Sequence, residues 1–212
     1  EARRQLSASP QTEASPICYH DGRMGGQVTI RFYEELNDFL PLDLRRRAFP
    51  AAYQPGDTVK ALIESLGVPH TEVDLVLVNG LSVDFGQRLA DGDRVSVYPV
   101  FESLEIGPVS RVRPRPLREP RFLLDVHLGH LARLLRMLGF DAAYGDSAAD
   151  DATLAARSRL ERRILLTRDR GLLKRSVVSH GYCVRSPLPT RQLAEVLRRF
   201  DLGDRIRPFT LC

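Results

Sequence analysis

The stretch from Arg163 to Arg170, RILLTRDR, constrains the fold most tightly. Ile164, Leu165 and Leu166 form a bare apolar run of strand length, followed at once by Thr167, Arg168 and Asp169. A strand apolar on both sides belongs in a parallel sheet covered on both faces. A carboxylate just past its end lies at the carboxyl edge, where open α/β sheets place their ligands. The same grammar occurs earlier, where Phe122, Leu123 and Leu124 run into Asp125. If the two strands are parallel neighbours, Asp125 and Asp169 meet at one rim.

The chain of 212 residues can bury one large core or two small ones. No apolar run is long enough to span a bilayer, and no signal peptide is visible, so a cytoplasmic setting without membrane contact is expected. The chain starts at Glu1 rather than Met and is read as a fragment. Three scattered cysteines, Cys18, Cys183 and Cys212, point to reduced thiols. Charge is lopsided. Residues 27–108 hold 7 Lys/Arg against 13 Asp/Glu, whereas residues 109–212 hold 21 against 11. A basic half joined to an acidic half suggests that only the second meets a polyanion. A GC-rich genome would explain Arg in place of Lys, but not the difference in sign.

Residues 1–26 are polar, lack periodicity and read as a disordered leader. Cys18 and His20 are close in sequence, but two candidate ligands there are read as incidental. Residues 27–106 read as a first domain. Gln27–Phe32 alternates as a half-buried strand, and Glu34–Pro50 is an excursion containing Phe39, Leu40, Leu42 and Leu44. Asp57 or Thr58 caps a helix ending near Leu66, with Gly67 as its stop. Val73–Val78 is a strand, Asn79-Gly80 a hairpin turn, Leu89–Asp93 a further turn, and the strand with Val95, Val97 and Pro99 closes an α+β roll. Residues 107–120 carry Pro108, Pro114, Pro116 and Pro120 among Arg111, Arg113, Arg115 and Arg118, and read as an extended linker.

Residues 121–212 alternate strand and helix, which predicts an α/β domain with a parallel sheet and helices on both faces. After the strand ending at Asp125 comes a helix from Leu128 to Leu138, then a strand at Asp141–Tyr144 and a helix from Ala152 to Arg162. RILLT follows, then a basic helical segment Leu172–Ser179, a strand Tyr182–Val184, and a helix capped by Thr190.

Asp125, Asp169 and one of Asp150 or Asp151 are the candidate chemistry. Clustered carboxylates ionise together only near a cation. Oxygen-only ligands select hard ions such as Mg²⁺ or Mn²⁺, which promote in-line displacement at phosphate. Each residue also has a structural reading: Asp150 or Asp151 as a helix cap, Asp169 paired with Arg168 or Arg170, Asp125 capping the next helix. His127 and His130 lie close by in sequence and read as surface or capping residues.

The segments FYEELNDFL, TVKALIESLGVPHTEVDLVLVNGLSVDF and LADGDRVSVYPVFE resemble the ubiquitin-like domain fused to Mut-seven C-terminal RNase domains. They are similar, more distantly, to sulfur-carrier ubiquitin folds. Those end in a Gly-Gly tail that this chain lacks after Pro99, so sulfur carriage is not expected and a binding role is. FLLDVHLGHLARLLRMLGFDAAY and DDATLAARSRLERRILLTRD resemble the Mut-seven C-terminal domain, a PIN-like RNase family. The two resemblances run in order over residues 27 to 212.

The resemblance implies catalytic and metal-binding roles for Asp125, Asp169 and one of the Asp150/Asp151 pair, with Asp151 preferred. It implies a zinc ribbon beginning at Cys212 if the chain continues. PIN nucleases commonly carry a fourth acid near the third; here Arg170, Gly171, Leu172, Leu173, Lys174 and Arg175 stand instead. The expectation is a PIN-like, Mg²⁺- or Mn²⁺-dependent endoribonuclease. Arg133, Arg136, Arg168, Arg170, Lys174 and Arg175 would engage RNA phosphates, with tRNA one candidate. The alternative is a non-catalytic RNA-binding protein, associated with tRNA or the ribosome, using the same basic face. The ubiquitin-like domain is expected to bind a protein or RNA partner. Sparse aromatics, with no Trp, argue against sequence-specific base reading.

Overall fold

In the computed structural model, residues 25–99, 109–112, 120–145 and 150–210 are described. The expected leader, apart from Gly25 and Gly26, and most of the expected linker lie outside them.

The first half builds a mixed sheet. In β1 (Gly26–Phe32), Val28, Ile30 and Phe32 point into the core while Thr29 and Arg31 face out. Two short 3₁₀ turns, Glu34–Phe39 and Leu42–Leu44, follow. The stretch expected to remain irregular to Pro50 ends instead in β2 (Ala48–Tyr53), which pairs antiparallel with β1. It sits at the sheet edge, where Pro50 is tolerated without a ladder donor, and only Phe49 and Ala51 supply its buried face. That is too little apolar alternation to announce a strand.

Thr58 caps α1 (Val59–Ser65) by accepting from Ala61 N at 3.3 Å. Then β3 (Val73–Val78) turns back as β4 (Leu81–Ser82) through Asn79 and Gly80, both at positive φ (51° and 83°), as a tight two-residue hairpin requires. Last comes β5 (Arg94–Pro99). The order is β2-β1-β5-β3-β4, with β1 and β5 parallel at the centre. Residues 109–112, expected to belong to the extended linker, lie against this sheet. Ser82 Oγ donates to Val109 O at 2.6 Å, Ser110 Oγ donates to Asp74 O at 2.5 Å, and Val112 is buried.

The second half is an all-parallel sheet. Its elements are β6 (Phe122–Leu124), α2 (Gly129–Met137), β7 (Ala142–Tyr144), α3 (Asp151–Leu160), β8 (Ile164–Thr167), α4 (Arg170–Leu173), β9 (Gly181–Cys183) and α5 (Pro189–Arg199). A 3₁₀ turn, Val126–Leu128, joins β6 to α2. Strand order is β7-β6-β8-β9. The segment expected to be helical over 172–179 is a single turn placed earlier. At α5, Leu188 rather than Thr190 is the N-cap, because Pro189 suits the first helical position, where its missing N–H costs nothing.

Alternation along these strands feeds two cores. Phe122, Leu124, Ile164, Leu166 and Tyr182 pack with Leu131 and Leu135 of α2 and Val196 of α5. Leu123, Leu165 and Cys183 point the other way and pack with Leu154, Leu172, Leu173 and Val178. That second cluster is continuous with the core of the first domain, including Ile30, Leu36, Val59 and Ile63. Polar contacts pin the junction. Glu72 Oε1 accepts from Cys183 N at 2.6 Å, Lys174 Nζ donates to Glu64 O at 2.7 Å, and Arg170 Nη1 donates to Phe39 O at 3.3 Å. Both ring nitrogens of His70 face oxygens: Nδ1 lies 2.7 Å from Glu64 Oε1, and Nε2 3.0 Å from Val178 O.

Candidate active site at the carboxyl rim of the parallel sheet

Strands β6 and β8 are direct neighbours in register, Leu124 opposite Leu166. The chain leaves β6 for β7 on one side, while β8 pairs on the other. This is a topological switch point, the place where an open parallel sheet forms a crevice for a ligand. Asp125 and Asp169 stand at that point, as the two strand-end carboxylates predict.

Asp125 is 6% exposed. Its Oδ1 accepts from His127 N at 2.8 Å, so it caps the following turn, and its Oδ2 accepts a short hydrogen bond from the Thr167 hydroxyl. The same Thr167 Oγ1 accepts from Asp169 N at 2.9 Å. Asp169 is exposed, and its Oδ1 accepts from Gly171 N at 2.7 Å, capping α4. One fully buried hydroxyl thus ties the two loops together. Gly145 follows β7 beside this rim: its amide donates to Leu124 O at 2.7 Å. A Cβ there would lie 3.2 Å from Leu124 O and 3.1 Å from Leu154 Cδ1, so a larger residue would push on the Asp125 loop.

Structural and chemical readings coexist at both aspartates. Each caps a turn, and each keeps unused lone pairs, because a carboxylate offers about four acceptor sites. Asp150 caps α3 by accepting from Thr153 N at 2.8 Å, and is exposed. The Thr153 side chain, then its amide, hold the Asp150 carboxyl below its usual range, with a smaller pull from Arg175. Asp151 is the first residue of α3 and is also exposed. Among the described residues no three His, Cys, Asp or Glu side chains are gathered closely enough to share a metal ion. The third acid of the expected set is therefore not assembled with Asp125 and Asp169. The pair presents oxygen donors only, which suits a hard ion held by one or two carboxylates with water completing its shell.

Of the expected phosphate contacts, Arg168 and Arg175 are exposed near this rim, and Arg133 is exposed on α2. Arg136 Nε donates to Ala142 O at 2.6 Å. Arg170 and Lys174 are committed to the domain junction, Arg170 also stacking 4.9 Å from the Phe39 ring centroid. His127 and His130 are exposed. Cys18, His20 and Cys212 lie outside the described residues. Cys183, the only described cysteine, is buried, and burial pushes its thiol up to about 11, which makes it inert.

Sequence reasoning missed Thr167. The signal was present in LLTRD, since a hydroxyl at a strand end can hold a neighbouring loop carboxylate. It also passed over Asp146, where AAYGD repeats the pattern of a strand followed by an acid; that residue lies outside the described residues. Among the described residues no helix is long and apolar enough to cross a membrane.

Residues 25–105 match the family model Mut7-C ubiquitin, and residues 120–212 match the Mut7-C RNAse domain. No curated protein matches the chain. The crystal structure of H. volcanii small archaeal modifier protein 1 aligns over 36% of this chain and 100% of that chain, at 17% identity and a TM-score of 0.30. The two family matches fall in order on the mixed sheet and on the parallel sheet, and the protein is a Mut7-C ubiquitin domain followed by a Mut7-C RNAse domain.

Proposed function

We propose that the protein is a ribonuclease that cleaves RNA phosphodiesters at the carboxyl rim of its parallel sheet, with Asp125 and Asp169 as the central carboxylates. The observation that carries this reading is the shared Thr167 hydroxyl. It holds two strand-end carboxylate loops together at the switch point of the sheet. Asp125 and Asp169 would hold Mg²⁺ or Mn²⁺; when bound, the ion supplies water activation and charge stabilisation at phosphate. Thr167 orients Asp125, and the amides of His127 and Gly171 fix the two carboxylates without neutralising them. Arg168 and Arg175, with Arg133 on α2, would engage the RNA backbone, and Asp151, at the start of α3 but not gathered with the other two acids, would play at most an auxiliary part. The substrate class is single-stranded or structured RNA, with tRNA as the first candidate, and the setting is cytoplasmic. A zinc ribbon starting at Cys212 belongs to the same reading only if the chain continues past that residue. The ubiquitin-like domain then serves as a docking partner for protein or RNA.

The test is incubation of labelled RNA with the protein and Mn²⁺. Products that disappear in Asp125→Asn and in Asp169→Asn support the reading; RNA left intact by the wild type refutes it. A second reading, RNA binding without cleavage, draws on the absence of a three-acid cluster among the described residues. It requires retention of RNA without products, equal in the wild type and both variants.

A further inference from the structure

A second crevice, open to solvent, lies between the domains, on the side of β9 and α5. Its volume is about 1100 Å³, and its walls include Tyr33, Tyr98, Tyr182, Arg185, Arg191 and Arg199. Of these arginines, Arg199 is withdrawn from water and Arg185 partly so. The Arg199 side chain is 7% exposed and that of Arg185 is 27% exposed. The carboxylate between them is Glu72, 1% exposed, with Oε2 at 3.6 Å from Arg185 Nη2 and 4.0 Å from Arg199 Nη2. These separations give attraction but no hydrogen bond. Glu72 Oε1 is already engaged by Cys183 N. One buried and one partly buried cation therefore face one buried anion.

Four of their nitrogens have no hydrogen-bond acceptor: Arg185 Nε and Nη2, and Arg199 Nε and Nη1. Asp38 Oδ2 lies 3.7 Å from Arg185 Nε, also too far to bond. Stacking explains part of the arrangement, since Arg185 and Arg199 lie 5.3 and 5.2 Å from the Tyr182 ring centroid. It leaves those four donors unanswered, while Arg185 Nη1 donates to the Tyr182 hydroxyl at 2.7 Å. An unmet buried donor costs about 1–3 kcal/mol, more when charged, so such a set marks a place where an acceptor arrives from outside.

Net charge of the walls does not decide the ligand, because Arg191 and Arg198 are offset by Glu34, Glu35 and Glu195. Glu195, however, is spent on the Tyr182 hydroxyl and the amides of Arg185 and Ser186. What selects the ligand is donor geometry beside flat rings. Planar forks match phosphate oxygens, and the Tyr33 and Tyr98 rings stack at 4.2 Å and 11° on the same wall. Arg31 caps that stack 4.8 Å from the Tyr33 centroid. Aromatic faces next to an anion seat suit a base joined to a phosphate.

We propose that the crevice between the domains binds a nucleotide unit, its phosphate on Arg185 and Arg199 and its base against the Tyr98 end of the stacked pair. The crevice is separate from Asp125 and Asp169, and the source of the nucleotide as an RNA strand rests on the ribonuclease reading above. A strand held there would be gripped by both domains at once.

The test uses the full chain in EDTA, so that cleavage plays no part. Binding of fluorescein-labelled single-stranded RNA is followed by anisotropy, with AMP, inorganic phosphate and polyglutamate as competitors. The expected result is that RNA binds and that AMP competes better than phosphate. Arg199→Lys, which keeps the charge opposite Glu72 but removes the fork, weakens binding about tenfold, the equivalent of one charged hydrogen bond. Tyr98→Ala weakens AMP more than phosphate. RNA binding without AMP competition, but with the same loss in Arg199→Lys, supports the strand as the source. No RNA or AMP binding by the folded wild type overturns the proposal. So does polyglutamate competing as well as RNA, or binding unchanged in both Arg199→Lys and Tyr98→Ala. Failure of the nuclease reading leaves a different trace: RNA left uncut in Mn²⁺, whatever the result in EDTA.

Discussion

The two rims of the parallel sheet use carboxylates in opposite ways. At the amino rim, Asp141 is gripped by Arg163 at 2.6 and 3.1 Å and by Arg121 at 2.9 Å. Glu161 bonds Arg157 and Arg163, each at 2.6 Å. The Arg163 hydrogen bond to Asp141, and that of Arg157 to Glu161, hold these carboxyls below their usual range. At the carboxyl rim, Asp125 and Asp169 are held by amides and a hydroxyl, and among the described residues no arginine or lysine pairs with either. Arg168 and Arg170 flank Asp169 in sequence, yet Arg170 turns to the first domain instead. Guanidinium partners finish a carboxylate's electrostatics; neutral donors orient it and leave its charge for something else. The contrast separates a clamp at the strand starts from a site at the strand ends of one sheet.

The largest effect expected is at the carboxyl rim. Asp125→Asn keeps the turn cap but removes the charge. RNA cleavage should fall by about 100-fold or more, beyond the 10–100-fold typical of groups that only orient a ligand. Initial rates at saturating Mn²⁺ check this, and an unchanged rate would place the chemistry elsewhere. Thr167→Val, which removes only the orienting hydroxyl, should fall in that lower range of about 10–100-fold.

The amino rim should answer in stability instead. Arg163→Met leaves Asp141 with Arg121 alone and Glu161 with Arg157 alone, and both acids keep water contact at 45% and 29% exposure. The loss should be about 2 kcal/mol by urea unfolding, less than the 3–5 kcal/mol of a fully buried pair, with cleavage per folded molecule unchanged.

At the junction the expected signal is a slope. Burial raises the Glu72 carboxyl above 4.5, outweighing the pull of Arg199 and Arg185. The folded chain therefore takes up that proton before the unfolded chain does. This group's contribution to stability grows as pH falls through the raised folded value, and levels off below about 4.5, the unfolded range. Glu72→Gln cannot titrate and should lose this slope in unfolding measurements between neutral and mildly acid pH. The smallest effect belongs to the exposed Arg168. Arg168→Ala should weaken RNA binding a few-fold and lower the salt slope by about one.

Much of this contrast was legible in the sequence. FLLD and RILLTRD read as covered strands ending in acids, and the register of Leu124 on Leu166 brought those acids together. What escaped depends on tertiary neighbours. β2 is an edge strand with Pro50 and two buried side chains, so its pairing with β1 exists only once β1 is in place. Arg170 and Lys174 read as solvent-facing cations because nothing local says that Phe39 and Glu64, more than a hundred residues earlier, would receive them. Asp150 and Asp151 fit both a helix cap and a ligand, and residue type alone gives each the same score. The cap is filled by Asp150.

The apolar cluster that runs from Ile30 and Ile63 through to Leu172, Leu173 and Val178 also bears on modularity. Severed near residue 115, the nuclease half would present those leucines as a sticky wound. Calorimetry on the intact chain should show one melting peak, and the halves expressed separately should aggregate unless mixed. Domain shuffling is then costly for this pair: a new companion would have to bring a matching greasy face, and the two parts persist as one inheritable unit.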